Sequence, residues 1–395
     1  MSDFARHMPP DRYAARLTTC RDAIAARGFA ALLIGVGPDL RYLTGFVGDP
    51  MERLTLLVIP RRGPVAFLVP RLEAAKAEAA PLAATGRVEI VAFDETDDAA
   101  GMIARLLASA GAASAGAGGE AYARGPIGLS DRLWAMHVLQ LQRALPGRRF
   151  EPASAVLSDL RTVKDADEAR LLRLAGQAAD RTVEAIVAGP LVGRTEAEVS
   201  REIRARLVEE GHDLADFAIV GSGPNSASPH HDASDRAIRA GEPVVLDIGG
   251  TLAGYGSDTT RTIWVGGEAG IEPEPEFRDV YAVVREAQAR ATTEVRPGIP
   301  AERIDAAARD VIATAGYGEH FTHRVGHGIG LETHEDPYMV AGNSTPLAPG
   351  MAFSVEPGIY LPRRWGVRLE NIVLCTEAGS EILNRSSLDL RVVRG

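Results

Sequence analysis

Four acidic residues stand inside apolar, strand-like segments in the second half of the chain. Asp247 lies in VVLDIGG and Asp258 in GYGSDTTRTIWVG, while Glu356 lies in FSVEPGIY and Glu370 in GVRLENIVL. Like charges repel at short range, and burial adds a cost on the order of several kcal/mol for each ion. A chain can fold with all four residues in its interior only if something compensates their charge.

The two aspartates are spaced as the two sides of a hairpin. Their midpoint falls between Leu252 and Ala253, and a tight loop there, with Gly254 helping the turn, would make Asp247 and Asp258 directly opposed neighbours. Directly opposed residues share one face of a sheet, with Cβ atoms about 5 Å apart. We therefore expect this pair to present its two carboxylates together.

The two glutamates follow the same pattern. The midpoint of Glu356 and Glu370 is Arg363, in the turn-like segment LPRRW, and a hairpin there puts both carboxylates on one face. Two divalent cations would neutralise the four carboxylates. His327, in GHGIG, adds an imidazole, and we expect the glycines around it to allow close approach of the backbone to a ligand or metal. Carboxylates with one imidazole suit Mn²⁺, with Co²⁺, Fe²⁺ and Zn²⁺ as alternatives.

Length and local pattern predict an α/β protein of two domains. At about 150 residues per domain, 395 residues are enough for two or three. Residues 1–160 alternate helical and strand-like segments, with a hairpin signal at RRGP, and few of their side chains are placed for catalysis. A capping box at Asp165 and Glu168 opens the second domain, residues 161–395. The Ala/Gly/Ser-rich stretch 111–119 is predicted to be a flexible surface loop.

The second domain carries a weak internal repeat with an offset of 105 residues. The matched positions are Gly193 with Gly298, Val199 with Ile304, Leu207 with Ile312, and Gly211 with Gly316. They span a turn, two core-facing positions and a helix end, and a second capping box, Thr195 with Glu198, opens the helix of the first copy. The pattern predicts a duplicated α/β unit, with a site where the two copies meet.

Composition excludes several classes of protein. The chain has 43 Lys and Arg against 53 Asp and Glu, a net charge of −10, whereas binders of nucleic acid or anionic membranes usually have a basic surplus. No apolar run is long enough to cross a bilayer, and the polar N-terminus has no signal-peptide core. Cys20 and Cys375 have neither disulfide-framework nor zinc spacing. We therefore expect a cytoplasmic enzyme that binds neither nucleic acid nor membrane.

The segments that hold these residues resemble one metallopeptidase family, which includes prolidase (Xaa-Pro dipeptidase), aminopeptidase P and methionine aminopeptidase and has the so-called pita-bread fold. The matching segments, in the family's order, are FAIVGSGPNSASPHH, VVLDIGGTLAGYGSDTTRTI, HRVGHGIGLETHEDP, EPGIY and GVRLEN. RYLTGF, at 41–46, resembles the N-terminal domain of prolidases, aminopeptidases P and creatinase, which methionine aminopeptidases generally lack. The resemblance implies a creatinase/prolidase-type domain over 1–160 and a pita-bread catalytic domain over 161–395.

The resemblance also implies roles for individual residues. The ligands of two divalent metal ions are Asp247, Asp258, His327, Glu356 and Glu370, with Asp258 and Glu370 as bridges. The catalytic residues are His230, His323, His334, Glu356 and Arg368. One departure is Asn371, where the family often has Asp; it follows a ligand and does not replace one. His231 is interpreted as a neighbour of His230 and is left outside the site.

The implied reaction is metal-assisted hydrolysis of the bond before proline. Glu356 accepts a proton from the attacking water, His334 helps the metals to stabilise the oxyanion, and His230 positions the substrate or passes a proton to the leaving nitrogen. Arg368 supports the site. The resemblance further implies a homodimer in which the first domain contributes to the site entrance of the partner.

Several functions remain open from the sequence. A prolidase, which acts on short Xaa-Pro peptides, is favoured, with aminopeptidase P as the alternative. A dipeptidase needs a closed pocket and a cation for the substrate carboxylate, for which Arg41, Arg53, Arg61 and Arg62 are candidates. A hydrolase of small cyclic compounds on the same fold is a further alternative. The intact set of five ligands argues against a metal-free, creatinase-like enzyme and against a binding module without catalysis.

Overall fold

The computed structural model of the chain describes residues 8–113 and 125–394. They form two compact units, and the boundary lies between Arg161 and Thr162. The boundary expected from the sequence lies one residue earlier. Within the described ranges, no helix combines the length and the apolar character that spanning a bilayer requires.

The first unit is built on a mixed sheet with helices packed around it. Its strands are β1 (Ala31–Gly35), β2 (Leu56–Pro60), β3 (Ala66–Pro70), β4 (Glu89–Phe93), β5 (Ile127–Leu129) and β6 (Phe150–Pro152). Its helices are α1 (Pro10–Ala26), α2 (Pro38–Thr44), α3 (Ala74–Glu78), α4 (Ala99–Ala113), α5 (Ala135–Ala144) and α6 (Ser154–Thr162). The strand order is β4–β3–β2–β1–β5–β6. Apolar side chains from β1, β2, β3 and α4 form its core.

Local sequence signals explain most of this unit. The predicted hairpin around RRGP is confirmed as the antiparallel pair β2–β3. The predicted loop at 111–119 is wrong for its first three residues, which continue α4 to Ala113, because alanine is the strongest helix former. Residues 114–119 lie outside the described residues.

The second unit contains two sheets and a separate hairpin. Its strands are β7 (Leu214–Ser222), β8 (Glu242–Leu252), β9 (Tyr255–Val265), β10 (Gly326–Gly328), β11 (Glu335–Met339), β12 (Ala352–Val355), β13 (Gly358–Leu361), β14 (Trp365–Arg368), β15 (Asn371–Thr376), β16 (Gly379–Ile382) and β17 (Val392–Val393). Its helices are α7 (Ala166–Val187), α8 (Glu196–Glu209), α9 (Pro275–Glu294) and α10 (Ala301–Thr314). The sheets have the orders β17–β9–β8–β7 and β11–β10–β12–β15–β16, and β13 pairs with β14.

The internal repeat appears as two equivalent halves of this unit. Helix α8 and helix α10 begin and end at positions that differ by 105 residues, as the sequence predicts. Gly193 and Gly298, which precede them, both have φ of 84°. Val199 lies in the core formed with β7–β9, whereas its counterpart Ile304 lies in the core formed with β12 and β15. Each half therefore packs a helix pair on its own sheet.

Both predicted capping boxes are present. The carboxylate of Asp165 accepts hydrogen bonds from the backbone N–H of Asp167 at 2.9 Å and of Glu168 at 3.0 Å. The carboxylate of Glu168 accepts from the N–H of Asp165 at 2.9 Å. Helix α7 therefore begins with its free N–H groups satisfied by side chains.

Removal of the Asp165 carboxylate should weaken this helix start. We expect Asp165→Ala to lower the free energy of unfolding by about 1 kcal/mol, because two backbone donors lose their acceptor. Urea denaturation measures the change. The matched control is Gln177→Ala, a polar-to-alanine change inside the same helix, which should leave the free energy of unfolding within about 0.5 kcal/mol of the native value.

Candidate active site

The two aspartates lie on the long hairpin formed by β8 and β9. Its loop is Ala253-Gly254, with φ of 52° and 88°, one residue later than the sequence predicts. Two positive φ values are what the favoured two-residue hairpin turn requires, and glycine adopts them without steric cost. The predicted direct opposition is therefore wrong: Asp247 pairs with Thr260 and Asp258 with Gly249. Because the shift is two residues along the strand, the two carboxylates remain on one face.

The two glutamates lie where a paired ribbon is interrupted. The strand pair β12–β15 ends at Val355 and Asn371, and the pair β13–β14 begins at Gly358 and Arg368 in the same register. The predicted hairpin centred on Arg363 is confirmed, and Arg363 itself has a φ of 65°. Glu356 and Glu370 occupy the gap between the two strand pairs. Their side chains are therefore free of the ladder and turn toward the hairpin of the aspartates.

His327 is held on β10 with one ring nitrogen committed to the backbone. Its Nδ1 donates to the carbonyl of Gly328 at 3.1 Å, so Nε2 of a neutral ring presents a lone pair. That Nε2 lies 3.3 Å from Oε1 of Glu356 and 3.6 Å from Oδ2 of Asp258. A lone pair that faces two carboxylates requires a cation between them, either a proton or a metal.

The glycines beside His327 serve strand packing. A Cβ at Gly326 would lie 1.9 Å from the carbonyl oxygen of Ser354, and one at Gly328 would lie 2.3 Å from that of Asp336. The expectation that these glycines let a ligand approach the backbone is therefore corrected. They let the neighbouring strands β11 and β12 approach β10 closely.

The acidic side chains form a buried cluster with unsatisfied oxygens. Ligand atoms of Asp258, His327 and Glu370 all lie within 4.8 Å of one another. Oδ1 of Asp247 and Oε1 of Glu370 are buried and have no hydrogen-bond partner among the described residues. A buried carboxylate oxygen without a donor is costly, and a divalent cation is the partner that both oxygens fit.

Burial and mutual repulsion dominate the electrostatics of this cluster. Burial, and then the charges of Glu370 and Asp247, raise the pKa of Asp258 well above its usual value. Burial, and then the charges of Glu356 and Asp247, do the same to the pKa of Glu370. Burial also opposes ionisation of Glu356, but the hydrogen bond and charge of His327 outweigh it and lower the pKa to about 2. The cluster as a whole resists carrying its full negative charge without cations.

Arg368 is the buried counter-charge of the cluster. Its guanidinium pairs with the carboxylate of Asp247 and donates to Oγ1 of Thr260 at 3.1 Å and to the hydroxyl of Tyr360 at 3.0 Å. Thr260 in turn donates to Oε2 of Glu370 at 2.7 Å. Arg368 thereby orients both an aspartate and, through Thr260, a glutamate.

His323 is fixed through both of its ring nitrogens. Its Nδ1 donates to the carbonyl of Arg324 at 2.7 Å, so its Nε2 accepts from the hydroxyl of Tyr360 at 2.9 Å. Burial lowers its pKa, which keeps the ring neutral. His323 therefore orients Tyr360 and, through it, Arg368.

A cavity of about 660 Å³ opens beside the cluster, a size typical of small-ligand sites. The predicted site residues that line it are His230, Asp247, Asp258, His323, His327, His334, Glu356 and Arg368. Glu370 lies behind them with a relative exposure of 1%. Phe217 and Ile219 add an apolar wall from β7.

His230 and His334 lie at the open side of this cavity. Both side chains are exposed, and the ring of His334 lies 4.0 Å from the ring of His327. Burial of part of the ring, and then the neighbouring His327, lower the pKa of His334 to about 4. His334 is therefore a neutral hydrogen-bonding group above that pH.

Some residues that hold the site have no signal in the sequence. Thr260 and Ser354 hydrogen-bond to Glu370 and Glu356, but Thr and Ser are common in strands for other reasons. His231, interpreted as a bystander, donates to the carboxylate of Glu196 at 2.7 Å. Asn371 accepts from Arg261 at 2.8 Å and so anchors the backbone beside Glu370. An acidic residue within the first turn of α8 looks like ordinary helix-start chemistry, which is why Glu196 was missed.

Comparison with known families agrees with the two-unit organisation. Residues 170–377 match the family described as metallopeptidase family M24. Residues 16–163 match the family described as the Creatinase/Prolidase N-terminal domain. Each match lies largely within one of the two structural units.

Individual proteins resemble the chain over nearly its whole length. A probable dipeptidase PepE of Mycobacterium tuberculosis is 44% identical over 98% of this chain and 99% of its own. The Xaa-Pro dipeptidase of Pyrococcus horikoshii is 36% identical over 67% of this chain and 74% of its own. The crystal structure of dipeptidase PepE from Mycobacterium ulcerans superimposes with a TM-score of 0.88 at 43% identity, covering 98% of this chain and all of that one. With one family model over more than half of its length and relatives this similar, the chain belongs to metallopeptidase family M24 and carries a Creatinase/Prolidase N-terminal domain.

Proposed function

We propose that the chain is an Xaa-Pro dipeptidase that hydrolyses short peptides with two divalent cations bound by Asp247, Asp258, His327, Glu356 and Glu370. The observation that carries the proposal is the cluster of these side chains at the cavity. Within it, one buried oxygen of Asp247 and one of Glu370 have no hydrogen-bond partner among the described residues. Relatives named dipeptidase and Xaa-Pro dipeptidase support the choice of substrate class.

The donor set favours Mn²⁺ as the metal. Four carboxylates and one imidazole are mostly hard oxygen ligands, and they balance the charge of two divalent cations. Bound there, such cations would polarise a peptide carbonyl and lower the pKa of a water. Co²⁺, Zn²⁺ and Fe²⁺ remain alternatives. A cytoplasmic homodimer stays a prediction that a mass measurement and cell fractionation can test.

Glu356 is the proposed acceptor of the proton from the attacking water. The hydroxyl of Ser354 engages one of its oxygens, Oε1, at 3.0 Å. It is partly exposed on the cavity wall, whereas Glu370 is fully buried. Of the two glutamates, it is therefore the one that a water in the cavity can reach.

The two exposed histidines flank the position that the scissile bond would occupy. His334, neutral at physiological pH, can donate a hydrogen bond to the developing oxyanion. His230 lines the cavity on the other segment of the rim and can orient the peptide or protonate the leaving nitrogen. Proline leaves as a secondary amine, which must gain a proton.

Arg324 is the cation that we propose binds a substrate carboxylate. Its side chain lines the cavity, and its guanidinium lies 4.5 Å from the centre of the Tyr338 ring. No carboxylate pairs with it within residues 8–113 and 125–394. Arg368, the other cavity arginine, is already occupied by Asp247 and Tyr360. A free guanidinium favours a dipeptide, whose carboxylate immediately follows proline, over the aminopeptidase P alternative.

The substrate class is tested with metal-stripped enzyme reloaded with Mn²⁺. We expect rapid hydrolysis of an Xaa-Pro dipeptide, slower hydrolysis of an Xaa-Pro-Yaa tripeptide and none of an Xaa-Ala dipeptide. Preferred cleavage of the tripeptide would identify an aminopeptidase P. No cleavage of either proline peptide would reject the peptidase assignment and favour a small cyclic substrate.

Neutralising one buried carboxylate should have opposite effects on metal binding and on the stability of the metal-free protein. We expect Asp258→Asn or Glu370→Gln to lose hydrolysis and stoichiometric metal. After chelation, each variant should melt about 2–4 °C above the chelated native protein, because about 1 kcal/mol of repulsion is relieved. Elemental analysis and thermal unfolding with and without Mn²⁺ measure both effects.

The exposed Glu268 provides the control for this experiment. Glu268→Gln should keep metal, activity and melting temperature at the native values. If Asp258→Asn or Glu370→Gln retained full activity and two equivalents of metal, the proposed dinuclear site with these ligands would be rejected.

Arg324→Met tests carboxylate recognition. We expect KM for an Xaa-Pro dipeptide to rise about tenfold, since a hydrogen-bonded charge pair contributes about 1.5 kcal/mol or more. KM for the corresponding Xaa-Pro amide, which lacks the carboxylate, should not change. Arg290→Met, at an exposed arginine of α9, is the matched control. An effect confined to substrates with acidic Xaa would instead place a side-chain carboxylate at Arg324.

A further inference from the structure

Glu196 is a fully buried residue whose carboxylate accepts hydrogen bonds from four other residues. It is the first residue of α8 and has a relative exposure of 0%. Its Oε1 accepts from the backbone N–H and the hydroxyl of Ser222, both at 2.7 Å. Its Oε2 accepts from the hydroxyl of Ser234 at 2.6 Å, from the backbone N–H of Ser234 at 3.1 Å and from Nε2 of His231 at 2.7 Å. The side-chain amide of Asn225 donates to both oxygens at 3.0 and 3.1 Å.

These donors belong to the two ends of one segment. Ser222 ends β7, and Ser234 stands shortly before β8, so the carboxylate joins the start and the end of residues 222–234. The backbone N–H of Glu196 also donates to the carbonyl of Arg236 at 3.1 Å. Glu196 thereby ties the start of residues 222–234 to their end. Arg236 supports the same base, because it donates to the hydroxyl of Ser222 and to the carboxylate of Glu242.

The same segment carries His230 to the cavity. The carbonyl of Pro229 accepts from Nη1 of Arg368 at 3.1 Å, and the hydroxyl of Ser226 accepts from the N–H of Gly366 at 2.9 Å. The far end of the segment therefore rests on the residues that surround the acidic cluster. His231, the residue after His230, is tied to Glu196, and this restricts the backbone from which the ring of His230 projects.

The carboxylate of Glu196 is suited to this task because it stays ionised. Burial opposes ionisation, but the hydrogen bonds from Ser234, Ser222 and His231 outweigh it and lower the pKa of Glu196 to about 2. Hydrogen bonds to a charged acceptor are shorter and stronger than those between neutral groups. The charge is therefore held by directed donors of one segment, and the nearby guanidinium of Arg236 adds a favourable electrostatic interaction.

We propose that Glu196 is a positioning residue, which closes residues 222–234 so that His230 faces the substrate cavity, with His231 as its partner in that role. This inference depends on the proposed function in one respect: the expected loss of turnover assumes that His230 takes part in peptide hydrolysis. The closure of the segment is a separate property, which can be measured without substrate.

The test compares Glu196→Gln with Glu198→Gln in the Mn²⁺-loaded, full-length enzyme. Glu198 lies in the same first turn, and its carboxylate accepts from the N–H of Thr195 at 2.8 Å within the capping box. The side-chain NH2 group of a glutamine at position 196 would face hydrogen-bond donors of residues 222–234 and could not accept from them. We expect Glu196→Gln to lower kcat about tenfold, part of what a proton-transferring group contributes, with KM and bound metal unchanged. Amide hydrogen exchange of residues 222–234 should accelerate, while Glu198→Gln should change neither measurement.

The double variant with His230→Ala decides how Glu196 acts. If Glu196 works through His230, Glu196→Gln should lower kcat no further in the His230→Ala background. An additional tenfold loss there, or unchanged exchange of residues 222–234 in Glu196→Gln, would overturn the proposal. His231→Ala, which removes one bond and keeps the carboxylate, should accelerate the same exchange to a smaller extent. Full turnover of His230→Ala would reject the proposed role of His230. Amide hydrogen exchange would still test whether Glu196 closes residues 222–234.

Discussion

The main constraint on the second unit is the mutual repulsion of four carboxylates, which its strands bring together out of contact with bulk water. Arg368 offsets one of the four charges, and hydrogen bonds from Thr260 and Ser354 stabilise individual oxygens. Within the part of the chain that the structure describes, these contacts leave one oxygen of Asp247 and one of Glu370 without a donor. A fold that tolerates such a cluster must be stable enough elsewhere to hold it, and the two apolar cores of the unit provide that stability.

The arrangement also separates the tasks of the histidines. His327 commits one nitrogen to the backbone and faces the carboxylates with the other. His323 uses both nitrogens to hold Tyr360. His230 and His334 remain at the open side of the cavity. The depth of each ring in the fold thus decides whether it can bind a cation, orient a neighbour or meet a substrate.

Features that depend on residues close together in the sequence can be predicted from the sequence. The capping boxes, the hairpin centred on Arg363 and the 105-residue offset follow from turn, cap and periodicity rules. The symmetric spacing of the aspartates predicts this loop one residue early, because Gly254 adopts positive φ without steric cost and makes Ala253-Gly254 the turn. Their shared face survived, since a two-residue shift preserves the alternation of side chains. Contacts between distant segments, such as that of Glu196 with His231, leave no periodic trace.

The five clustered side chains come from both copies of the internal repeat. Asp247 and Asp258 stand on the hairpin of the first copy. His327 stands on a strand of the second copy, and Glu356 and Glu370 lie between two of its strand pairs. A cation held among them would act as a removable cross-link in addition to the direct contacts of Arg368 with Asp247 and of Thr260 with Glu370. Because binding free energy at such a site is also folding free energy, the halves would unfold as one cooperative body when loaded. Without the cation only the direct contacts join the halves, so metal supply would affect the stability of the protein as well as its turnover.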